Sequence, residues 1–136
     1  MNCVMLVDDD ILTNFLNKIM VENAQVANHI VRHTSAESAL KYLLDSSYPP
    51  AGLPFPDLIF LDIGMPVLSG WDFINRYKVI KKKFPVQPTI IILTLKIDLK
   101  DILYSSSAME ISDLYDKPLT REIISDVVDH YYISKG

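Results

Sequence analysis

Two rhythms alternate along the chain. Short unbroken apolar runs occur at residues 3–7 (Cys-Val-Met-Leu-Val) and 58–61 (Leu-Ile-Phe-Leu), and 88–95 (Pro-Thr-Ile-Ile-Ile-Leu-Thr-Leu) is a further, mostly apolar stretch. Such runs suit strands buried on both faces of a parallel sheet. A second strand is expected within 27–33, around Val26-Ala27 and Ile30-Val31, and a short last one at 111–115. Between these the spacing turns helical. Ile11, Leu12, Phe15, Leu16, Ile19 and Met20 mark a first helix, with Asp10 as its N-cap. Thr34-Ser35-Ala36-Glu37 reads as a capping box for a helix through Ala39, Leu40, Leu43 and Leu44. Ser69 and Asp72 open a third, through Trp71, Phe73, Ile74, Tyr77 and Ile80, closing on Lys81-Lys82-Lys83, where cations suit a helix C-terminus. A short helix around 98–108 contains Ser105-Ser106-Ser107, which are weak helix formers. Thr120 caps a last helix with Ile123, Ile124, Val127, Val128 and Tyr131 on its inner face.

Strand and helix thus alternate five times with mostly short links. That pattern predicts an α/β domain over residues 1–136, with a parallel sheet, right-handed crossovers and helices on both faces. The proline-rich stretch 46–56 is longer than the usual helix-to-strand link. It reads as an ordered surface loop, with a partner surface as the alternative. The 136 residues are 49% hydrophobic and 22% charged, which supports a packed core and argues against disorder. A net charge of −4 argues against nucleic acid as partner. The single cysteine, Cys3, excludes an internal disulfide, and its apolar surroundings suggest a buried, inert thiol. No run reaches the roughly 20 apolar residues of a membrane span. Asp8-Asp9-Asp10 interrupts the N-terminal apolar run too early for a signal peptide. A cytoplasmic location without membrane partners is therefore expected.

Polar residues recur where the apolar strands stop: Asp8 and Asp9 after the first, Asp62 after the third, Thr94 at the fourth, Lys117 after the fifth. Each alone is a plausible cap or turn residue. In an open parallel sheet, however, these ends line one crevice. Three carboxylates there repel one another unless a cation compensates. An oxygen-only set suits Mg²⁺. Lys117 adds positive charge and Thr94 a hydroxyl donor. Together they suit an incoming phosphoryl group with Asp62 as nucleophile.

Over essentially its whole length the sequence resembles a response-regulator receiver domain of bacterial two-component signalling, of the stand-alone, chemotaxis-regulator kind. The matching pieces are Val7-Asp8-Asp9, then Leu61-Asp62-Ile63-Gly64-Met65-Pro66 with Gly70, then Thr94, then Lys117-Pro118. The resemblance implies a flavodoxin-like (βα)5 doubly wound sandwich with strand order 2-1-3-4-5. It makes Asp62 the phosphoacceptor, labelled in line from a phosphohistidine. Asp9 becomes the direct Mg²⁺ ligand, Asp8 a second acidic ligand often acting through water, and the Gly64 carbonyl a third protein ligand. Asp62 itself completes the metal set. Thr94 becomes the switch hydroxyl and Lys117 the ion-pair partner, and the Lys117–Pro118 bond is commonly cis in such domains. The implied partners are a sensor histidine kinase or a histidine phosphotransfer protein, plus an output protein. The implied role is a phosphoacceptor that catalyses its own phosphorylation and dephosphorylation, not an enzyme acting on other substrates. A homodimer through the face between the fourth and fifth predicted helices is conceivable, with Tyr131, Tyr132 and Ile133 contributing.

The sequence departs from the pattern at four places. Leu114 stands where the family usually carries Phe or Tyr, and strand alternation aims Tyr115 at the opposite face. Gly64 has no side chain to shield a phosphoryl group. Leu95 replaces a small residue, and Lys96 sets a long cation nearby unless it is simply exposed. A phosphorelay intermediate donating to a histidine phosphotransfer protein is the alternative role. An aspartyl-nucleophile phosphatase usually needs a second carboxylate two residues after the nucleophile, and Gly64 occupies that position. A flavin module needs a Ser/Thr/Gly-rich phosphate loop after the first strand, where this chain has acidic residues.

Overall fold

The computed structural model describes residues 1–47, 52–65, 69–94 and 110–133. The helix expected around 98–108 lies outside these residues, as do Pro66, Leu95 and Lys96. Five strands form one sheet: β1 (Cys3–Val7), β2 (His29–His33), β3 (Leu58–Asp62), β4 (Thr89–Thr94) and β5 (Asp113–Asp116). Every pairing is parallel, in the order β2-β1-β3-β4-β5. The helices are α1 (Ile11–Ala24), α2 (Ala36–Ser46), α3 (Gly70–Ile80) and α4 (Arg121–Val128). This is the doubly wound order expected of the flavodoxin-like fold.

Strand alternation divides the core into two layers. Met5, Val7, Ile59, Leu61, Ile90 and Ile92 face α2 and α3, meeting Ala39, Leu43, Phe73, Ile74 and Tyr77. Val4, Leu6, Leu58, Phe60, Ile91 and Leu93 face the other way, toward Val21 of α1 and Ile124 and Val127 of α4. β1 and β3 are therefore buried at every position, while the edge strand β2 is only partly buried. Cys3 is fully buried, and burial, with the nearby Asp57 charge, pushes its thiol pKa up to about 12. It is inert at neutral pH.

Several local expectations need correction. β2 begins at His29, because the His29 N–H reaches the Asn2 carbonyl (2.9 Å) and pairing with β1 starts there. Val26 and Ala27 instead pack against the core as a connection. The α2 cap is Ser35, whose Oγ accepts from the Ser38 N–H (3.1 Å). The helix starts one residue later than a Thr34–Glu37 box requires, so Glu37 points to solvent. β5 sits two residues beyond its expected start. α3 carries the full Ser69–Asp72 capping box but stops at Ile80. Lys81–Lys83 form a 3-10 turn, and Lys81 pairs with Glu110 at 2.9 Å.

α1 departs from the usual arrangement of an amphipathic helix. A helical apolar stripe normally faces the core. Here Asn14, Asn17 and Val21 are buried, while Ile11, Leu12, Phe15 and Leu16 are 75, 65, 45 and 50% exposed. The physical cause is a polar anchor. Asn14 Nδ2 donates to the Asp8 carbonyl (3.1 Å) and the His33 carbonyl (3.0 Å), tying the helix across the ends of β1 and β2. That rotation turns the apolar stripe outward. Among the described residues no helix is long and apolar enough to cross a membrane.

Candidate functional site

The sheet register brings the strand-end residues together. β1 and β3 pair Val7 with Leu61, so Asp8 follows beside Asp62. β3 and β4 pair Asp62 with Leu93, and β4 and β5 pair Thr94 with Asp116. Lys117 comes next, and its backbone N–H donates to the Thr94 carbonyl (2.7 Å). Thus Asp8, Asp9, Asp62, Thr94 and Lys117 all reach one edge of the sheet. The Lys117–Pro118 peptide bond is cis, as is common in the family that the sequence resembles.

Asp8 and Asp62 are 3% and 8% exposed, whereas Asp9 lies in solvent. One oxygen from each of Asp8, Asp9 and Asp62 lies within 4.8 Å of the others. Asp8 Oδ1 accepts from the Asp10 N–H (2.9 Å), and Asp62 Oδ1 accepts from the Gly64 N–H (3.1 Å). Lys117 Nζ donates to Asp8 Oδ2 at 2.6 Å and lies 3.4 Å from Asp62 Oδ2. The lysine therefore leans toward Asp8 and only approaches Asp62.

The charges follow from this arrangement. Burial pushes the Asp62 carboxyl pKa above its ordinary value. The Gly64 N–H and the Lys117 charge pull it back down, and the Asp8 charge adds to the rise. For Lys117, burial alone would lower the pKa. The hydrogen bond to Asp8 and the charges of Asp62 and Asp8 outweigh it and hold the ammonium above its usual range. Lys117 stays protonated at neutral pH while Asp62 is made more basic than an ordinary aspartate.

Two glycines shape the loop after β3. A Cβ on Gly70 would stand 2.6 Å from the Asp62 carbonyl oxygen and 2.7 Å from the Ile63 Cα. Gly70 is thus required for close approach: its N–H bonds the Ile63 carbonyl (3.0 Å) and seats the start of α3 against the strand end. A Cβ on Gly64 would meet only Asp62 Oδ1, at 3.8 Å, so that flank of the carboxylate is open. Met65, 4% exposed, anchors the loop in the α2–α3 layer.

The hard oxygen set of Asp8, Asp9 and Asp62 fits a divalent cation such as Mg²⁺ better than a soft metal. Sequence reasoning missed Asn14, which fixes the Asp8 backbone from α1. A polar residue inside a helical apolar pattern is the signal that could have found it. On β5, Leu114 packs into the α2–α3 layer and Tyr115 into the opposite one, as strand alternation predicts. The Tyr115 hydroxyl donates to Asp113 Oδ2 at 3.3 Å. Tyr131 and Tyr132 spend their hydroxyls within the chain, on the carbonyls of Ser112 (2.7 Å) and Asp57 (2.8 Å).

Fold and site together define a doubly wound α/β domain with an acidic, lysine-bridged centre at its strand ends. The chain belongs to the response regulator receiver domain family, whose model matches residues 4–129. Solved structures agree on the fold. A two-component response regulator from Cytophaga hutchinsonii superposes with TM-score 0.82 at 24% identity, covering 96% of each chain. A response regulator receiver protein from Dyadobacter fermentans gives 0.80 at 20% identity, covering 97% of this chain and 98% of its own. The Thermotoga maritima response regulator TrrA, in complex with Mg²⁺ and BeF, gives 0.72 at 23% identity, covering 96% and 98%. Among curated proteins none matches this chain.

Proposed function

We propose that this receiver domain is a Mg²⁺-dependent phosphoacceptor, taking a phosphoryl group onto Asp62 from a phosphohistidine on a sensor kinase or histidine phosphotransfer protein. The observation that carries the reading is Asp62 itself: a nearly buried carboxylate, made more basic by burial, beside a protonated Lys117 and two further carboxylates. An Asp62 oxygen attacks phosphorus, the P–N bond breaks, and its electron pair returns to the imidazole. The Gly64 N–H holds the carboxylate's rotation, so the attacking lone pair is aimed before the donor arrives. Lys117, already 3.4 Å from Asp62, balances the charge that develops on the phosphoryl oxygens. Thr94, at the end of the neighbouring strand, supplies a hydroxyl for one of them. Asp8, Asp9, Asp62 and the Gly64 carbonyl would hold the metal, which when bound supplies fixed positive charge against the transferring group.

The reaction is self-catalysed on one side chain, and the product signals by altering a protein-binding surface. Aspartyl phosphate adds about −1.5 to −2 charges at the strand ends. Leu114 in the usual aromatic position means that the read-out does not pass through an aromatic rotamer there. A chain that returns the phosphoryl group to a histidine phosphotransfer protein is compatible with the same site. Incubation with acetyl phosphate and Mg²⁺ should add the mass of one phosphoryl group, lost on Asp62→Asn. Undiminished labelling of that variant would overturn the assignment.

A further inference from the structure

Asn14 lies on the buried face of α1, 2% exposed, where an apolar side chain would pack as Val21 does. Its amide faces two acceptors, the carbonyls of Asp8 (3.1 Å) and His33 (3.0 Å), so the nitrogen must point at them. The oxygen then points away and is buried without a hydrogen-bond partner. A buried acceptor left unpaired is costly. The His33 carbonyl does not depend on this amide, because it also accepts from the Asp8 N–H at 3.1 Å. What Asn14 adds is a hold on the Asp8 carbonyl.

We infer that Asn14 is a positioning residue for the metal: by fixing the Asp8–Asp9 peptide it aims the Asp9 carboxylate and sets the affinity for Mg²⁺. The inference rests on the Mg²⁺-dependent phosphoacceptor reading and deepens it. A peptide unit is planar, so a bond to the Asp8 carbonyl also fixes the orientation of the Asp9 N–H and the point from which its side chain leaves. Asp9 lies in solvent, and packing does not hold it. The turn that carries it is closed from both ends. Asp8 Oδ1 accepts from the Asp10 N–H (2.9 Å), and the Asp10 carbonyl accepts from the Asn14 N–H (2.9 Å). Asn14 Nδ2 then returns to the Asp8 carbonyl and completes the circuit. The Asp8 side chain has its own anchors in the Asp10 N–H and Lys117. Asp9 depends on the backbone between them. Mg²⁺ demands near-ideal octahedral geometry, so a ligand turned slightly away costs affinity. Groups that orient metal ligands from behind are worth about 10- to 100-fold in affinity.

The test titrates the full chain with magnesium chloride in a calorimeter. Asn14→Leu removes the donor and keeps the bulk. It exchanges one unpaired buried oxygen, Asn14 Oδ1, for another, the Asp8 carbonyl. Tm without metal should therefore stay within about 3 °C of wild type. Kd for Mg²⁺ should rise about tenfold. Asn14→Gln, which keeps an amide, should stay within about threefold of wild type. In the metal-free chain, the Asp10 N–H of Asn14→Leu should exchange with solvent about tenfold faster, while the amides of Val4 to Leu6 keep their protection. Labelling by acetyl phosphate should need about tenfold more Mg²⁺ for half its maximal rate and reach a plateau within about twofold of wild type. Where the leucine variant does not fold, Asn14→Ala should show the same rise in Kd. An unchanged Kd in the folded variants overturns the inference, whatever happens to Tm. So does a loss that Asn14→Gln shares in full. A wild-type chain that binds Mg²⁺ but is labelled by no donor overturns the phosphoacceptor reading, while the rise in Kd still supports the role of Asn14. A wild-type chain that binds no Mg²⁺ overturns both.

Discussion

Asp57 and Asp62 flank the same strand and do opposite things. Asp57, just before β3, gives its carboxylate to two backbone N–H groups, those of Asn2 (2.7 Å) and Cys3 (3.0 Å). Its backbone carbonyl accepts from the Thr89 N–H (2.9 Å) and the Tyr132 hydroxyl (2.8 Å). It ties β1, β3, β4 and the C-terminal turn together at the amino ends of the strands. Asp62, at the carboxyl end, has one backbone donor, a lysine that prefers Asp8, and two like charges within reach. The difference teaches where reactivity comes from. A carboxylate surrounded by fixed donors is a structural clamp, while one left short of donors and partly desolvated is a nucleophile held ready.

The comparison breaks most sharply in labelling. Asp62→Asn should lower acetyl phosphate labelling by more than about a hundredfold, since the attacking oxygen is gone. Asp57→Ala should leave labelling per folded molecule unchanged, read by intact mass. Lys117→Gln comes second. It should slow labelling about ten- to a hundredfold. It also leaves Asp8 and Asp62 unbalanced, costing about 3 kcal/mol in urea melts at neutral pH.

Stability should then move in opposite directions at the two aspartates. Asp57→Ala leaves the Asn2 and Cys3 N–H groups without an acceptor and should cost about 1–3 kcal/mol. Asp62→Asn should instead raise Tm by about 2–5 °C at pH 7. The sign follows from linkage. The folded-state pKa of Asp62 is raised, so this group's contribution is full in acid and is lost as pH rises through that pKa. The Tm gain should therefore fade as pH drops and vanish below the unfolded aspartate pKa of about 3.9. A gain that persists in acid would break the account.

The loop glycines give the smaller effects. Gly70→Ala forces a Cβ to within 2.6 Å of backbone at Asp62. It should cost about 1–3 kcal/mol and slow labelling by displacing the carboxylate. Gly64→Ala meets only open space and one carboxylate oxygen at 3.8 Å. Its stability should stay within about 0.5 kcal/mol of wild type, and the lifetime of the phosphorylated form is the sensitive reading.

Much of this molecule is legible in its residue order. The apolar runs at 3–7 and 58–61 and the isoleucine-rich stretch 88–95 suit central strands, because a strand buried on both faces of a parallel sheet is nearly continuous in apolar residues. Asp10, Ser69 and Thr120 cap helices where their short polar side chains and the following pattern place them. The strand-end residues Asp8, Asp9, Asp62, Thr94 and Lys117 follow from where those runs stop, which is why the candidate site could be assembled before any coordinate. What sequence misjudged was local registration: the α2 cap falls on Ser35, and β2 and β5 start two residues late. Cap chemistry at Thr34 and Ser35 is nearly the same, and only pairing with a neighbouring strand picks the first residue of an edge strand.

The orientation of α1 was beyond the pattern altogether. Its periodicity announced a helix and an apolar face but said nothing of which way that face turned. Two long-range hydrogen bonds from Asn14 to the carbonyls of Asp8 and His33 decided it, and those partners are 6 and 19 residues away in the chain. The sheet register likewise decided that Lys117 meets Asp8, 109 residues distant, more closely than Asp62. Sequence by itself determined the elements, their order and the chemistry available at the strand ends, because these depend on neighbours along the chain. Only the tertiary structure decided which carboxylate the lysine holds, which is left basic, and which apolar face is left open, because those are contests between groups that meet only once the chain has folded.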